Sequence, residues 1–329
     1  MQYRRLGKSN LFLSSLSLGT WPVFGSRITR AEAAELVAHA FDNGINFFDS
    51  AESYSSGEAE KSLGAALKAI RVPRDAVCIA SKAFFGTRND GKEMILQRGP
   101  SKKHITEACN SSLLRFGLDY IDFYYCHAYE SSTNIEEVAW AMHCLILQGK
   151  ILYWGTSNWP VDAITAINRF TRDNHLVPPS SNQLEYNILR QSIFGSDLVD
   201  AIETYTFGLI GYSPLMQGIL AGRYDNGIPS DSRFADSSIV TLKDKSTNFE
   251  FLSWLAISRK LRLLAEKMEI TQAQLAIAWC LRNRYINSVI LGCSKRGQLD
   301  DCLTAVDVIS RLDSEIWLEI AELGHQKPQ

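Results

Sequence analysis

Eight short apolar runs, each closing on a small or polar residue, alternate along this chain with stretches of helical periodicity. The runs are Leu16–Leu18, Ile45–Phe48, Val77–Ala80, Ile121–Cys126, Ile151–Trp154, Asn182–Tyr186, Leu209–Tyr212 and Ser288–Leu291. A strand that returns through a helix to a parallel neighbour makes a right-handed βαβ unit, so the pattern predicts an α/β fold with a parallel sheet. Thr29 and Glu32 form a capping box ahead of Ala33, Leu36, Val37, Ala40 and Phe41, which share one helical face until Gly44 stops it. Thr133 and Glu136 repeat the device, with Gly149 as the stop. Further helices are expected over Ala59–Ile70, Lys102–Phe116, Val161–Arg172, Asp197–Thr204, Arg259–Met268, Ala273–Arg282 and Gln298–Val306.

Eight such units can close into a (β/α)8 TIM barrel or lie open as a doubly wound sheet. No G-x-G-x-x-G follows the first strand and no G-x-x-x-x-G-K-[ST] occurs, so an open sheet would lack its phosphate cradle. Polar residues instead follow nearly every strand: Asp49, Lys82, His127, Ser157–Asn158, Gln183, Ser213 and Ser294. The C-terminal face of a barrel gathers such contributions. The expectation is one (β/α)8 barrel domain over residues 1–329. Residues 3–15 hold Gly7 and Asn10 between short extended stretches and suit an N-terminal β-hairpin that closes the barrel bottom. The interval from Ser213 to Ser294 is far longer than the others, and its stretch Gly218–Asn248 is rich in Gly, Ser, Asp and Asn. It predicts a long lid loop after strand 7.

Composition acts by exclusion. There are 34 Lys and Arg against 36 Asp and Glu, a net charge of −2, without the basic excess of a nucleic-acid binder. No run approaches ~20 apolar residues, so no membrane span is expected. MQYRRLGKSN has neither an apolar core nor a cleavage site, so no secretory leader is expected. The 7 Cys are scattered without a C-x-x-C and suit reduced thiols and a cytoplasmic location. The 6 His include no H-E-x-x-H or other metal-ligand spacing, so no metal is expected.

Four ionisable residues stand at or just after strand ends: Asp49 and Tyr54 in FFDSAESY, Lys82 in IASKAFFG and His127 in FYYCHAYE. Singly, each has an ordinary structural reading as a cap, a packing ring or a solvated charge. Gathered on one barrel face, they suit proton transfer to a carbonyl oxygen. A phenol with an unperturbed pKa of ~10 is a weak acid at neutral pH, and an adjacent ammonium favours its phenolate. Asp49 would orient Lys82, and His127 would hydrogen-bond the substrate oxygen where negative charge develops.

GTWPVFG (19–25), DNGINFFDSAESY (42–54), SKAF (81–84), YWGTSNW (153–159), YSPLMQGILAGRY (212–224), AIAWCLRN (276–283) and LGCSKRGQL (291–299) resemble the aldo-keto reductase superfamily. They are most similar to the branch holding the voltage-gated potassium-channel β subunits and bacterial glyceraldehyde-3-phosphate and methylglyoxal reductases. The likeness runs over roughly residues 3–325. It implies an NADP-binding barrel with a catalytic tetrad at Asp49, Tyr54, Lys82 and His127. It places Thr20, Trp21, Asp49, Ser157, Asn158, Gln183, Tyr212, Ser213, Pro214, Leu215, Gly218, Arg223, Arg233, Gly292, Ser294, Gln298 and Asp301 around the cofactor. It implies reduction of small aldehydes or ketones to alcohols by hydride transfer, and a homo-oligomer, a tetramer in that branch. The alternative it carries is a cytoplasmic potassium-channel β-type regulatory subunit with a redox-sensing barrel.

Three departures stand out. His127 occupies a position that is Asn in the channel subunits, Cys302 stands where an Asn commonly meets adenine, and Asp301 replaces a Glu. NADP is expected over NAD because Ser294 and Lys295, with Arg296 beside them, arrive where a helix begins. The positive end of a helix and a lysine suit the 2′-phosphate. Trp21, Tyr54, Phe84, His127 and Tyr129 are expected around the substrate, with Phe85 and Trp159 adding to an aromatic mouth.

Overall fold

The computed structural model describes residues 1–87, 94–236 and 249–325. Strands β1 (Tyr3–Arg5) and β2 (Phe12–Ser14) pair antiparallel as the expected hairpin. β3 (Leu16–Gly19), β4 (Phe47–Asp49), β5 (Cys78–Ala83), β6 (Ile121–Cys126), β7 (Ile151–Ser157), β8 (Ser181–Glu185), β9 (Gly208–Tyr212) and β10 (Ile286–Leu291) run parallel in one closed barrel. The ring closes where β10 pairs with β3 on one side and β9 on the other. This is the expected (β/α)8 barrel.

Alternation along the strands sorts the core into two layers. In β6, Phe123 and Tyr125 turn into the barrel, while Tyr124 and Cys126 pack outward under the helices. Gly155 on β7 faces the inner rings, where an added Cβ would stand 2.8 Å from Tyr125 and 2.9 Å from Phe123. Leu6 and Leu13 of the hairpin are fully buried with Phe47, Phe123, Tyr125 and Ile210, so the hairpin plugs the N-terminal end. The opposite end stays open to the strand-end polar residues.

The helices follow local signals closely. α1 (Arg30–Asp42) carries both halves of its capping box: the Glu32 amide donates to Thr29 Oγ1 at 3.2 Å and the Thr29 amide to Glu32 Oε2 at 2.8 Å. α2 (Glu58–Ala69), α3 (Lys102–Phe116), α5 (Val161–Asp173), α6 (Ser196–Tyr205) and α8 (Gln272–Arg282) lie within a few residues of expectation. α4 (Ile135–Leu147) is capped one residue later than expected. Asn134 Oδ1 accepts from the Glu136 and Glu137 amides, while Thr133 Oγ1 is taken by the Glu130 amide.

The C-terminal third departs more. α7 (Phe249–Lys267) begins at Phe249 instead of Arg259. The single helix expected over 298–306 is two, α9 (Arg296–Leu303) and α10 (Ala305–Val308), parted at Thr304, whose hydroxyl donates to the Asp301 carbonyl at 2.8 Å. α11 (Ser314–His325) has no counterpart among the expected helices and stacks Trp317 on Trp279. Of the expected lid, the start lies in a short 3-10 helix (Met216–Ala221), 222–236 is turns and irregular chain, and 237–248 lies outside the described residues. Among the described residues no helix is long and apolar enough to cross a membrane.

Candidate active site

The strand-end residues surround a cleft of about 1550 Å³ at the open end of the barrel. That exceeds the ~300–1,000 Å³ of a typical small-molecule pocket, leaving room for an extended ligand with a smaller one beside it. Asp49, Tyr54 and His127 line it, and Lys82 lies beneath, fully buried.

Lys82 organises this floor. Its Nζ donates to Asp49 Oδ2 at 2.5 Å, to the Ser50 carbonyl at 2.8 Å and to Tyr54 Oη at 3.2 Å. Three protons thus meet three acceptors, and the ammonium also stands 4.9 Å from the Tyr54 ring centre. The second Asp49 oxygen accepts from Gln183 Nε2 at 2.9 Å, which fixes the carboxylate. Burial pulls the Lys82 ammonium below its ordinary range, and Asp49 counteracts this. The expected acidification of Tyr54 is not what this geometry gives. Burial, with Asp49 second, pushes the phenol well above 10, so Tyr54 holds its proton throughout the neutral range.

His127 meets Tyr54 edge-on at 5.6 Å and Phe85 at 5.1 Å. Burial and the Lys82 charge drive its pKa well below 6.5, so the ring is neutral. Its Nδ1 is buried without a hydrogen-bond partner among the described residues. Phe85, not Phe84, faces the cleft, a one-residue correction. Glu52, 2% exposed, accepts from the amides of Phe84 and Gly86 at 2.8 and 2.9 Å, which turns the chain and buries Phe84 behind Phe85. His104 holds Glu52 in turn, at 3.3 Å. Tyr129 is also off the cleft. Its ring packs on Trp159, whose indole donates to the Ala128 carbonyl.

The residues expected around a cofactor mostly line the same cleft: Trp21, Ser157, Asn158, Gln183, Tyr212, Ser213, Pro214, Leu215, Gly218, Arg223, Arg233, Gly292, Ser294, Lys295, Gln298 and Asp301. Thr20 does not; it is buried and donates to Ser50 Oγ at 2.9 Å. Tyr212 donates to Asn158 Oδ1 at 2.9 Å. Asn158 and Ser213 hold φ of +56° and +54°, left-handed backbone that is costly away from glycine and recurs at functional sites.

Arginines bind the far side together. Arg233 donates to Gln217 Oε1 at 2.5 Å and to the Gly292 carbonyl at 3.1 Å, and lies over the Trp21 ring. Burial draws its guanidinium down to about 10. Arg223 pairs with Asp231 at 2.9 Å, and Arg27 pairs with Asp236 across the cleft. Lys295 stands at the N-cap of α9, and its charge is felt at Asp231. Arg296 starts the helix but does not line the cleft. Asp301 accepts from Thr271 Oγ1 and from Gln274 Nε2, and Gln298 Oε1 from the Ser294 amide.

Sequence reading missed Arg27, Gln217, Asp236 and Cys293 in the lining and the Glu52–His104 pair behind it. The Glu in DSAESY was the one available hint, an acidic residue immediately beside a strand end.

The aldo/keto reductase family model matches residues 15–325. A probable voltage-gated potassium channel subunit beta of Arabidopsis thaliana is 37% identical over 330 residues, covering 100% of this chain and 98% of that one. Its counterpart in Oryza sativa subsp. japonica matches to the same extent, 37% over 330 residues.

Proposed function

The chain belongs to the aldo/keto reductase family, an oxidoreductase family, and on that premise we propose an NADPH-dependent reductase of small aldehydes and ketones with Tyr54 as general acid. The observation that carries this reading is the triple donation from Lys82, which ends on Tyr54 Oη at 3.2 Å. Because the phenol oxygen accepts from the ammonium, its own proton is free to point into the cleft. When Tyr54 gives that proton to a carbonyl oxygen, the phenolate left behind already faces a cation. Neutral His127 donates a hydrogen bond to the same oxygen, and Trp21 and Phe85 wall the substrate.

Bound NADPH supplies the hydride. The chain's residues fit it: Gln183 keeps its Oε1 for a carboxamide, since its Nε2 is committed to Asp49. Ser157 and Asn158 stand beside it, the Tyr212 ring would face the nicotinamide, and Arg223 and Arg233 would meet the phosphates. The position of Lys295 at a helix N-terminus suits the 2′-phosphate. We take residues 1–329 as one barrel domain. The 7 free thiols suit a reducing, cytoplasmic setting. We take the oligomer to be a tetramer, which light scattering tests.

The decisive assay is NADPH consumption with a panel of methylglyoxal, glyceraldehyde 3-phosphate, nitrobenzaldehyde and ketosteroids. Turnover of none of them, by protein shown to bind NADPH, would remove this reading. His127→Asn is expected to slow reduction about tenfold with NADPH affinity unchanged. The amide still donates, so the loss stays below the ~10²–10³ seen when such a donor is deleted. Cys126→Ala, altered on the outward face of β6, serves as the control. Equal losses from the two would mean that the imidazole does not face the substrate.

Lys295→Ala is expected to weaken NADPH binding about ten- to a hundredfold and NADH binding hardly at all, since a charged hydrogen bond contributes ~1.5–3 kcal/mol. Fluorescence titration with both cofactors measures it. Equal wild-type affinity for the two would refute the preference for NADP.

A second reading rests on the names of the two plant relatives: a subunit of a potassium channel. Co-purification with a tetrameric channel domain tests it, and it does not exclude turnover.

A further inference from the structure

We propose that Glu52 and His104, a buried pair behind the cleft, are positioning residues that set Phe85 in the substrate wall and with it the selectivity between aromatic and small aldehydes. The selectivity rests on the reading of the cleft as a reductase site, whereas the placement of Phe85 does not. Neither residue of the pair lines the cleft, and they are only 2% and 3% exposed. Phe85 does line it, exposed and edge-on to His127.

Two ionisable groups are buried at high cost unless they find partners, and theirs flank Phe85. Glu52 Oε1 accepts the amides on either side of it, from Phe84 at 2.8 Å and Gly86 at 2.9 Å. Glu52 Oε2 faces His104 Nε2 at 3.3 Å, and His104 Nδ1 donates to the Gly99 carbonyl at 2.7 Å. The Gly99 amide returns to the Phe84 carbonyl at 2.7 Å, which closes the circuit. The circuit has little slack. A Cβ added at Gly86, where φ is +73°, would stand 2.4 Å from the Gln97 carbonyl oxygen.

The proton count fixes how the pair is charged. Both His104 nitrogens face oxygens that accept, the Gly99 carbonyl and the Glu52 carboxylate. A neutral imidazole would aim a lone pair at one of them, so His104 is an imidazolium paired with the Glu52 carboxylate. Burial opposes that charge, but the hydrogen bond and charge of Glu52 outweigh it and hold the His104 pKa above its ordinary value. Glu52→Gln can close the same circuit without charge. Its amide oxygen accepts from Phe84 and Gly86, and its amide nitrogen donates to the bare Nε2 of a neutral His104. Glu52→Ala can do neither. The tie to Lys82 does not pass through this side chain, since it is the Glu52 amide that donates to the Lys82 carbonyl at 3.1 Å. Glu52→Ala should therefore move the wall and spare the catalytic floor.

The test sets nitrobenzaldehyde, whose ring needs an aromatic wall, against methylglyoxal, which has no ring. With NADPH saturating, Glu52→Ala should raise the KM for nitrobenzaldehyde about tenfold, as for a lost aromatic contact, and leave its kcat and both methylglyoxal constants within about twofold. Phe85→Ala should shift the same constant, and Glu52→Ala/Phe85→Ala should add nothing further. Glu52→Gln should behave as the wild type. Should Glu52→Ala not fold, His104→Ala takes its place in the same comparison. The fluorine resonance of Phe85, from fluorophenylalanine labelling and assigned with Phe85→Leu, should move in the alanine variant and stay in Glu52→Gln. Equal losses for both aldehydes, a loss confined to kcat, additive effects in the double variant, or an unmoved resonance would overturn the proposal. If the wild type reduces neither aldehyde, the reductase reading fails, while the fluorine resonance still decides the placement of Phe85.

Discussion

Tyr54→Phe is expected to lower turnover by about 10²–10⁴, the usual contribution of a positioned general acid. The substitution removes one oxygen and leaves a ring that packs edge-on against His127 at 5.6 Å. Lys82 loses its acceptor at 3.2 Å but keeps Asp49 and the Ser50 carbonyl, so the buried cation stays paired. Folding and NADPH binding should therefore persist, and the deficit should reside in chemistry. Single-turnover loss of nicotinamide absorbance after mixing the NADPH complex with aldehyde isolates that step. A variant that keeps more than half of the wild-type rate there would deprive Tyr54 of its role.

Lys82→Met is expected to damage both stability and rate. The methionine fills similar space, but it leaves Asp49, 3% exposed, as a buried carboxylate held only by Gln183. Breaking a buried ion pair from one side typically costs ~3–5 kcal/mol, most of it the stranded charge. Turnover should fall by about 10² or more, because the Tyr54 phenolate would form with no cation beside it. Adding Asp49→Asn separates the two effects. Urea unfolding of Lys82→Met/Asp49→Asn should recover most of the lost stability, while turnover stays low. A single variant with wild-type turnover and an unchanged pH–rate profile would show that the lysine does not serve the tyrosine.

Local chemistry decides which features were legible in the sequence. Strand and helix alternation is written in side-chain periodicity, so the barrel and its N-terminal hairpin follow from residues a few positions apart. The Thr29–Glu32 box likewise needs only its own turn. Asp49, Lys82 and His127 stood out because an ionisable group closing an apolar strand must reach the barrel mouth or find a buried partner. The failures in the cleft are long-range, while one cap fails locally. Phe84 and Phe85 exchange places because Glu52, on another loop, gathers two amides. Tyr129 leaves the cleft because Trp159 draws it away. Thr133 loses its cap to Asn134 because a nearby amide claims its hydroxyl. The acidity of Tyr54 depends on burial, a property that no neighbouring residue reveals.

Closure of the ring by β10 has a consequence for biosynthesis. Ser17 and Ser288 share a hydroxyl bond across the closing seam although 271 residues separate them. During translation β3 is among the first strands to emerge and β10 the last, so a nascent chain that has reached β9 but not β10 leaves β3 and β9 as unpaired edges. The Gly292–Lys295 loop follows β10 directly. The wall expected to receive phosphate is therefore absent until nearly the whole chain has been made. A truncated product that ends between β9 and β10 should expose both edges, aggregate, and bind no cofactor, however completely its seven barrel strands, β3 to β9, have formed.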